Sequence, residues 1–182
     1  YVLSLGTVQP RKNYVRLIRA FARVNTGRFE ATQPSRVTDA RMQLLIAGGR
    51  GWLYEDILAE ADKHDHGRLL GFVEDEDLPA LYRGAALFAF PSLYEGFGLP
   101  VLEAMACGVP VVCSNTSSLP EVADDAALLV DPLNVEELSA ALVRVLQDDD
   151  LREAMIARGL AQAARFTWER SARQLLHVIT SG

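Results

Sequence analysis

Two carboxylates, Glu95 and Glu103, frame the segment Phe90-Pro-Ser-Leu-Tyr-Glu-Gly-Phe-Gly-Leu-Pro-Val-Leu-Glu103. A carboxylate repels phosphate but accepts hydrogen bonds from hydroxyls. Between them stand Gly96 and Gly98, then Pro100, which suits the first position of a helix because its missing N–H is lost there without penalty. Free loop N–H groups and the positive end of a helix make an anion site. Hydroxyl, phosphate, hydroxyl is the layout of a nucleotide sugar. A second candidate loop reads Gly6-Thr-Val-Gln-Pro-Arg-Lys-Asn13, where Arg11 and Lys12 precede another helix start and could hold a diphosphate. Each feature has a plainer explanation when taken alone. A glutamate near a helix start is often only a dipole contact, and a basic pair in a loop is often only solvated.

The elements that must position these residues read as an alternating series. Val2–Leu5, Met42–Ala47, Leu69–Val73, Leu87–Phe90, Val109–Cys113 and Ala127–Val130 are short apolar runs that suit buried parallel strands. Between them, helical spacing appears at Val15, Leu17, Ile18, Phe21 and Val24 (with Asn13 expected as the cap), at about Trp52 to Asp62, and from Asp75 or Asp77 through Leu78, Leu81 and Tyr82. Asn115 to Glu121 reads as a polar loop, and Glu121 as an exposed carboxylate near the site. From Val135 the chain is helical to its end. Residues 26–41 are polar and aperiodic, a surface insertion into one domain that spans 1–182. The expected fold is therefore α/β, a doubly wound, Rossmann-like parallel sheet of about six strands covered on both faces. In such sheets ligands sit at the carboxyl ends of the strands, where the loops after Leu5, Ala47, Leu70 and Phe90 converge.

Composition bounds the function. The chain has 182 residues, 49% of them apolar and 23% charged, and a net charge of −6. That acidic balance argues against nucleic acid as a partner, which would require a basic face. No run reaches the length of a membrane span, and the first residues read as a strand rather than a leader. Cys107 and Cys113 fall in an apolar stretch and suit buried thiols of a reducing compartment. His64, His66 and His177 show no ligand spacing, and no Asp-x-Asp occurs, so neither a metal nor a cofactor is expected. His64 and His66 are expected to be solvated near a helix end.

The Glu95–Glu103 segment, continuing through Ala104-Met-Ala-Cys-Gly-Val-Pro-Val-Val112, resembles the E-x7-E region of retaining glycosyltransferases with the GT-B fold (family 4, group 1). The resemblance covers nearly the whole chain and points to a bacterial mannosyltransferase-like branch. It implies the C-terminal, donor-binding domain of a two-domain enzyme, with the N-terminal acceptor domain absent from this chain. The implied reaction moves a hexose from a nucleotide diphosphate sugar, GDP-mannose being favoured, to a saccharide or lipid-linked acceptor. By the same resemblance Lys12 and Glu95 carry catalysis. Gly6, Thr7, Arg11, Lys12, Gly98 and Leu99 hold the diphosphate, while Glu95, Gly96, Phe97 and Gly98 hold the sugar. Glu103 holds the ribose, and Gly49, Arg50, Phe72, Val73 and Leu78 surround the nucleobase. The family often has an arginine right after the first glycine, where this chain has Thr7, which leaves Arg11 or Arg16 as the second cation. The resemblance also implies a cytoplasmic location, with peripheral attachment of the longer protein to the inner membrane face. A nucleotide-sugar-binding module without catalysis, or an epimerase on the same fold, is the alternative.

Overall fold

The computed structural model describes residues 1–25 and 42–181. The expected insertion at 26–41 lies outside the described residues. Six strands form one all-parallel sheet: β1 (Val2–Leu5), β2 (Leu44–Ala47), β3 (Gly67–Gly71), β4 (Leu87–Phe90), β5 (Val111–Ser114) and β6 (Ala127–Val130). Their order across the sheet is β3-β2-β1-β4-β5-β6. The chain winds outward from β1 in one direction, then returns past it to continue from β4 in the other. Between β1 and β4 the order reverses, and a crevice opens beyond their carboxyl ends.

Helices cover both faces. On one face lie α1 (Tyr14–Asn25), α2 (Glu55–Ala61) and α6 (Val135–Gln147), which bury Leu17, Phe21, Ile57, Leu138 and Leu142 against the sheet. On the other lie α3 (Leu78–Arg83), α4 (Leu99–Ala106) and α5 (Leu119–Ala123), burying Tyr82, Val101, Met105 and Leu119 around Phe88 and Phe90. Phe88 stacks on Phe90 at 5.7 Å, and Tyr82 meets Phe88 edge-on at 5.3 Å, geometries that add to area burial alone. The inner strands β1, β2, β4 and β5 are nearly continuous apolar runs because both of their faces are covered, while the edge strands β3 and β6 are only partly buried. Two further helices, α7 (Asp149–Ala163) and α8 (Trp168–Thr180), follow. Asn134, Asp148 and Thr167 each accept a hydrogen bond from a first-turn N–H of the helix they open.

Several expected boundaries move. The second helix is shorter than Trp52 to Asp62, leaving Trp52 63% exposed in the preceding turn. The third strand starts and ends two residues early, so Phe72 and Val73 lie in the loop beyond it. Leu99 is the first residue of α4, which puts Pro100 second. The stretch expected as a polar loop hides the start of α5, anchored by the burial of Leu119, Val122 and Ala123. Asn13 does not cap α1 with its side chain. It adopts a left-handed conformation (φ 60°) that asparagine tolerates, and its amide is used elsewhere. His64 and His66 are half-buried rather than fully solvated, and of the two cysteines only Cys113 is buried.

Candidate functional site

The site begins where β1 ends. Gly6 has φ 142°, and a Cβ there would lie 2.7 Å from Lys12 Cε. The missing side chain is therefore what lets Lys12 fold back across the strand end. A single helical turn (Pro10–Lys12) then presents Arg11 and Lys12 side by side. Lys12 is 7% exposed, and its ammonium stands 4.5 Å above the centre of the Phe90 ring at the end of β4.

Across the crevice, the loop after β4 brings Glu95 to both cations. Lys12 Nζ donates to Glu95 Oε1 at 2.7 Å, and Arg11 Nη1 reaches Oε2 at 2.8 Å. Arg11 also donates to the Tyr94 carbonyl. Arg11, not Arg16, is thus the second cation beside Lys12, since Arg16 turns to Asn13 Oδ1 at 3.0 Å. Burial pushes the Glu95 carboxyl up, but hydrogen bonds from Lys12 and Arg11 outweigh it and hold the group below its ordinary value. Burial lowers Lys12, and Glu95 offsets part of that. Each charge is tolerable in its half-dry position because the other is there.

Backbone contacts fix the loops that carry these groups. Asn13 Nδ2 donates to the carbonyls of Pro91 (3.0 Å) and Pro132 (2.7 Å), tying the β1, β4 and β6 loops together. Leu93 N–H donates to the Arg11 carbonyl at 2.9 Å. Glu95 N–H donates to Ser117 Oγ, while Ser118 Oγ donates to the carbonyls of Glu95 and Phe97. Gly98 then opens α4 with a positive φ and no side-chain cap, and its carbonyl accepts from Val101 N–H at 2.9 Å.

Glu103 lies one turn into α4 and is exposed, with one oxygen accepting from Tyr82 Oη at 2.8 Å. Tyr82 is 2% exposed and fixes that carboxylate's orientation. Sequence reasoning placed Tyr82 only on an apolar helix face; its hydroxyl was the signal available. Glu103, Phe97 and Leu99 share a hollow of about 600 Å³ with Phe166 and Trp168, a mostly apolar space. Lys12, Arg11 and Glu95 are not part of its lining. The hollow and the charged cluster are thus separate features of this end of the molecule.

The remaining candidates follow β2 and β3 at the same sheet edge. Val8 N–H donates to the Gly49 carbonyl at 2.8 Å and Gly51 N–H to the Val8 carbonyl, joining this loop to that of Thr7, which is exposed. A Cβ on Gly48 would come within 2.1 Å of the Gly6 carbonyl, so only glycine lets the two loops touch. Arg50 is exposed, with its guanidinium 5.5 Å from the Tyr54 ring. Phe72 is 70% exposed, while Val73 and Leu78 are half-buried against the α3–α4 face. Gly96 has open space around it. Glu121 is exposed in the first turn of α5. Among the described residues, no three His, Cys, Asp or Glu side chains gather as a metal site, and no helix is long and apolar enough to cross a membrane.

Comparison with known proteins accords with this geometry. Residues 1–162 match the family model described as "Glycosyl transferases group 1". O-antigen chain mannosyltransferase B of Escherichia coli is 46% identical over 97% of this chain and 45% of its own length. Serotype-specific mannosyltransferase WbdA of the same organism is 34% identical over 99% of this chain and 22% of its own. This chain thus spans less than half the length of either relative. Among solved structures, an α,α-trehalose-phosphate synthase from Burkholderia vietnamiensis superimposes with a TM-score of 0.85 at 19% identity, covering all of this chain and 45% of that one. The sheet order, the strand-end crevice and the match over 1–162 together place the chain in the group 1 glycosyltransferase family, as a Rossmann-like domain of the GT-B fold.

Proposed function

We propose that this domain binds the nucleotide diphosphate sugar of a retaining, metal-independent hexosyl transfer, with GDP-mannose favoured as donor. The observation that carries the reading is the meeting of Lys12, Arg11 and Glu95 across the crevice between β1 and β4. Two cations and the first turn of α4, which has no side-chain cap, suit a diphosphate, whose growing charge as it departs they would stabilise. Glu103, oriented by Tyr82, is placed to accept from ribose hydroxyls. Glu95 would accept from hexose hydroxyls with Gly96, Phe97 and Gly98 beside it holding the sugar, and Gly49, Arg50, Phe72, Val73 and Leu78 would border the base. The mannosyltransferase names of two relatives support mannose. Their greater length leaves room for a second domain that holds a saccharide or lipid-linked acceptor, so transfer itself is assigned to the longer assembly. Peripheral attachment at the cytoplasmic membrane face belongs to that assembly too.

Calorimetry with GDP, UDP and ADP, each with and without EDTA, tests the reading. The expected result is binding of at least one nucleotide that survives chelation and is weakened by Glu103→Ala. Affinity that vanishes with EDTA would sink the metal-independent part.

A further inference from the structure

Glu95 occupies the place that the diphosphate is proposed to take. Each of its oxygens engages one of the two cations, at 2.7 and 2.8 Å, and its side chain is 11% exposed beside a Lys12 side chain that is 9% exposed. A charge this withdrawn from water cannot be left unpaired without a large penalty. Both cations already spend a bond on Glu95, so a diphosphate that takes them competes with Glu95, and the displaced carboxylate then needs new donors. Its backbone is pinned by Ser117 and Ser118, so the exchange is a side-chain rotation. The adjoining Gly96 leaves open space.

Resting on the donor-site reading above, we propose that Glu95 is a built-in counter-ion that selects the sugar-loaded nucleotide over the spent one. A nucleoside diphosphate alone pushes Glu95 aside and gives it nothing in return, leaving a carboxylate beside fresh phosphate charge. A nucleotide sugar brings hydroxyls that donate to the displaced carboxylate. The selection thus works by penalising the wrong ligand as well as by attracting the right one. Once the sugar has left, Glu95 reclaims Lys12 and Arg11 and helps expel the nucleotide.

The test titrates pyrophosphate, GDP and GDP-mannose into the 182-residue chain, as the unmodified protein and as Glu95→Gln and Lys12→Ala. Glu95→Gln should tighten pyrophosphate and GDP about tenfold, the scale of one charge-assisted hydrogen bond. GDP-mannose should gain less or lose, so that its preference over GDP collapses. Lys12→Ala should weaken all three. If Glu95→Gln leaves GDP binding unchanged or weaker while Lys12→Ala still weakens it, the counter-ion role is wrong and the donor site stands. If the unmodified chain binds none of GDP, UDP or ADP, both fall. Should Glu95→Gln not fold, Glu95→Asp is one methylene too short to hold both cations and should tighten GDP in the same direction.

Discussion

Glu60 and Glu95 hold the same kinds of cation in different surroundings. Each carboxylate is nearly buried, and each binds one arginine and one lysine. Arg19 grips Glu60 with Nε and Nη2 at 2.9 and 3.0 Å, Lys63 adds a bond at 2.9 Å, and His64 Nε2 stands 3.7 Å away. The difference lies in the cations. Arg19 and Lys63 are 53% and 62% exposed, so water solvates them whether or not Glu60 is there. The Lys12 side chain is 9% exposed and depends on an anion. Glu60 sits on the seam between α1 and α2, bonded to a cation from each side of it. Glu95 sits in a loop, at the open end of a sheet, beside the uncapped turn of α4. The first arrangement suits a structural clamp and the second an exchangeable one. On the donor-site reading proposed above, what separates the exchangeable ion pair from the structural one is where the cation finds its solvation.

The sharpest way to break this comparison is Lys12→Ala. It should weaken nucleoside diphosphate binding by about 1.5–3 kcal/mol, the range for a hydrogen bond to a charged group. A nucleoside without phosphates should bind nearly as before. Calorimetry with GDP and guanosine makes the distinction, and equal losses for both would place Lys12 with Glu60 as a structural residue.

The next effect is on stability. Glu60 is held down to about 2, chiefly by the Arg19 hydrogen bond against the opposing effect of burial, with Lys63 assisting. Because the folded value is depressed, the stability it supplies is complete above the unfolded value near 4.5. It is lost as pH falls from there through about 2. The full shift would correspond to roughly 3 kcal/mol, but the exposed partners are screened by solvent, so Glu60→Gln should cost about 1–2 kcal/mol at neutral pH. That lowers the unfolding midpoint by about 2–8 °C for a chain of this size. Thermal unfolding between pH 2 and 7 should show the variant converging on the parent as the solution becomes acid, with GDP affinity at pH 7 unchanged. A constant gap across the whole range would remove the ion pair as the cause.

The contrast also shows what the amino-acid order reveals. The strands were legible because a buried parallel sheet demands short apolar runs, as in Leu87–Phe90 and Val2–Leu5. Glu95, Lys12 and Glu103 stood out as residue types beside glycines and helix starts. The Lys12–Glu95 pair was not legible, since 83 residues separate the partners and only the reversal of strand order between β1 and β4 brings them together. Asn13 misled because capping is the usual use of an asparagine before a helix, whereas here two loop carbonyls claim its amide. The helix expected from Val135 onward includes α8, yet its apolar residues Trp168, Leu175 and Leu176 are exposed, because periodicity fixes a face but not its partner.

The smallest effect should come from Arg11→Ala, and it tests whether exposure sets the ranking. Arg11 and Lys12 contact the same carboxylate at nearly equal distances, 2.8 and 2.7 Å. On distance alone their removal should matter equally. Arg11, however, keeps 38% of its side chain in solvent, so its charge is screened and its attraction for any anion is weaker. The loss of nucleoside diphosphate affinity should therefore be about 0.2–1 kcal/mol, and salt should erode it. The remaining Lys12 contribution should persist at ionic strengths that erase the Arg11 effect, because a buried cation is poorly screened. Titrating GDP into the parent and both variants at low and high salt separates the two. An Arg11→Ala loss as large and as salt-resistant as that of Lys12→Ala would mean that the crevice treats the two cations alike. Solvation of the cation would then no longer distinguish the Glu95 cluster from the clamp at Glu60.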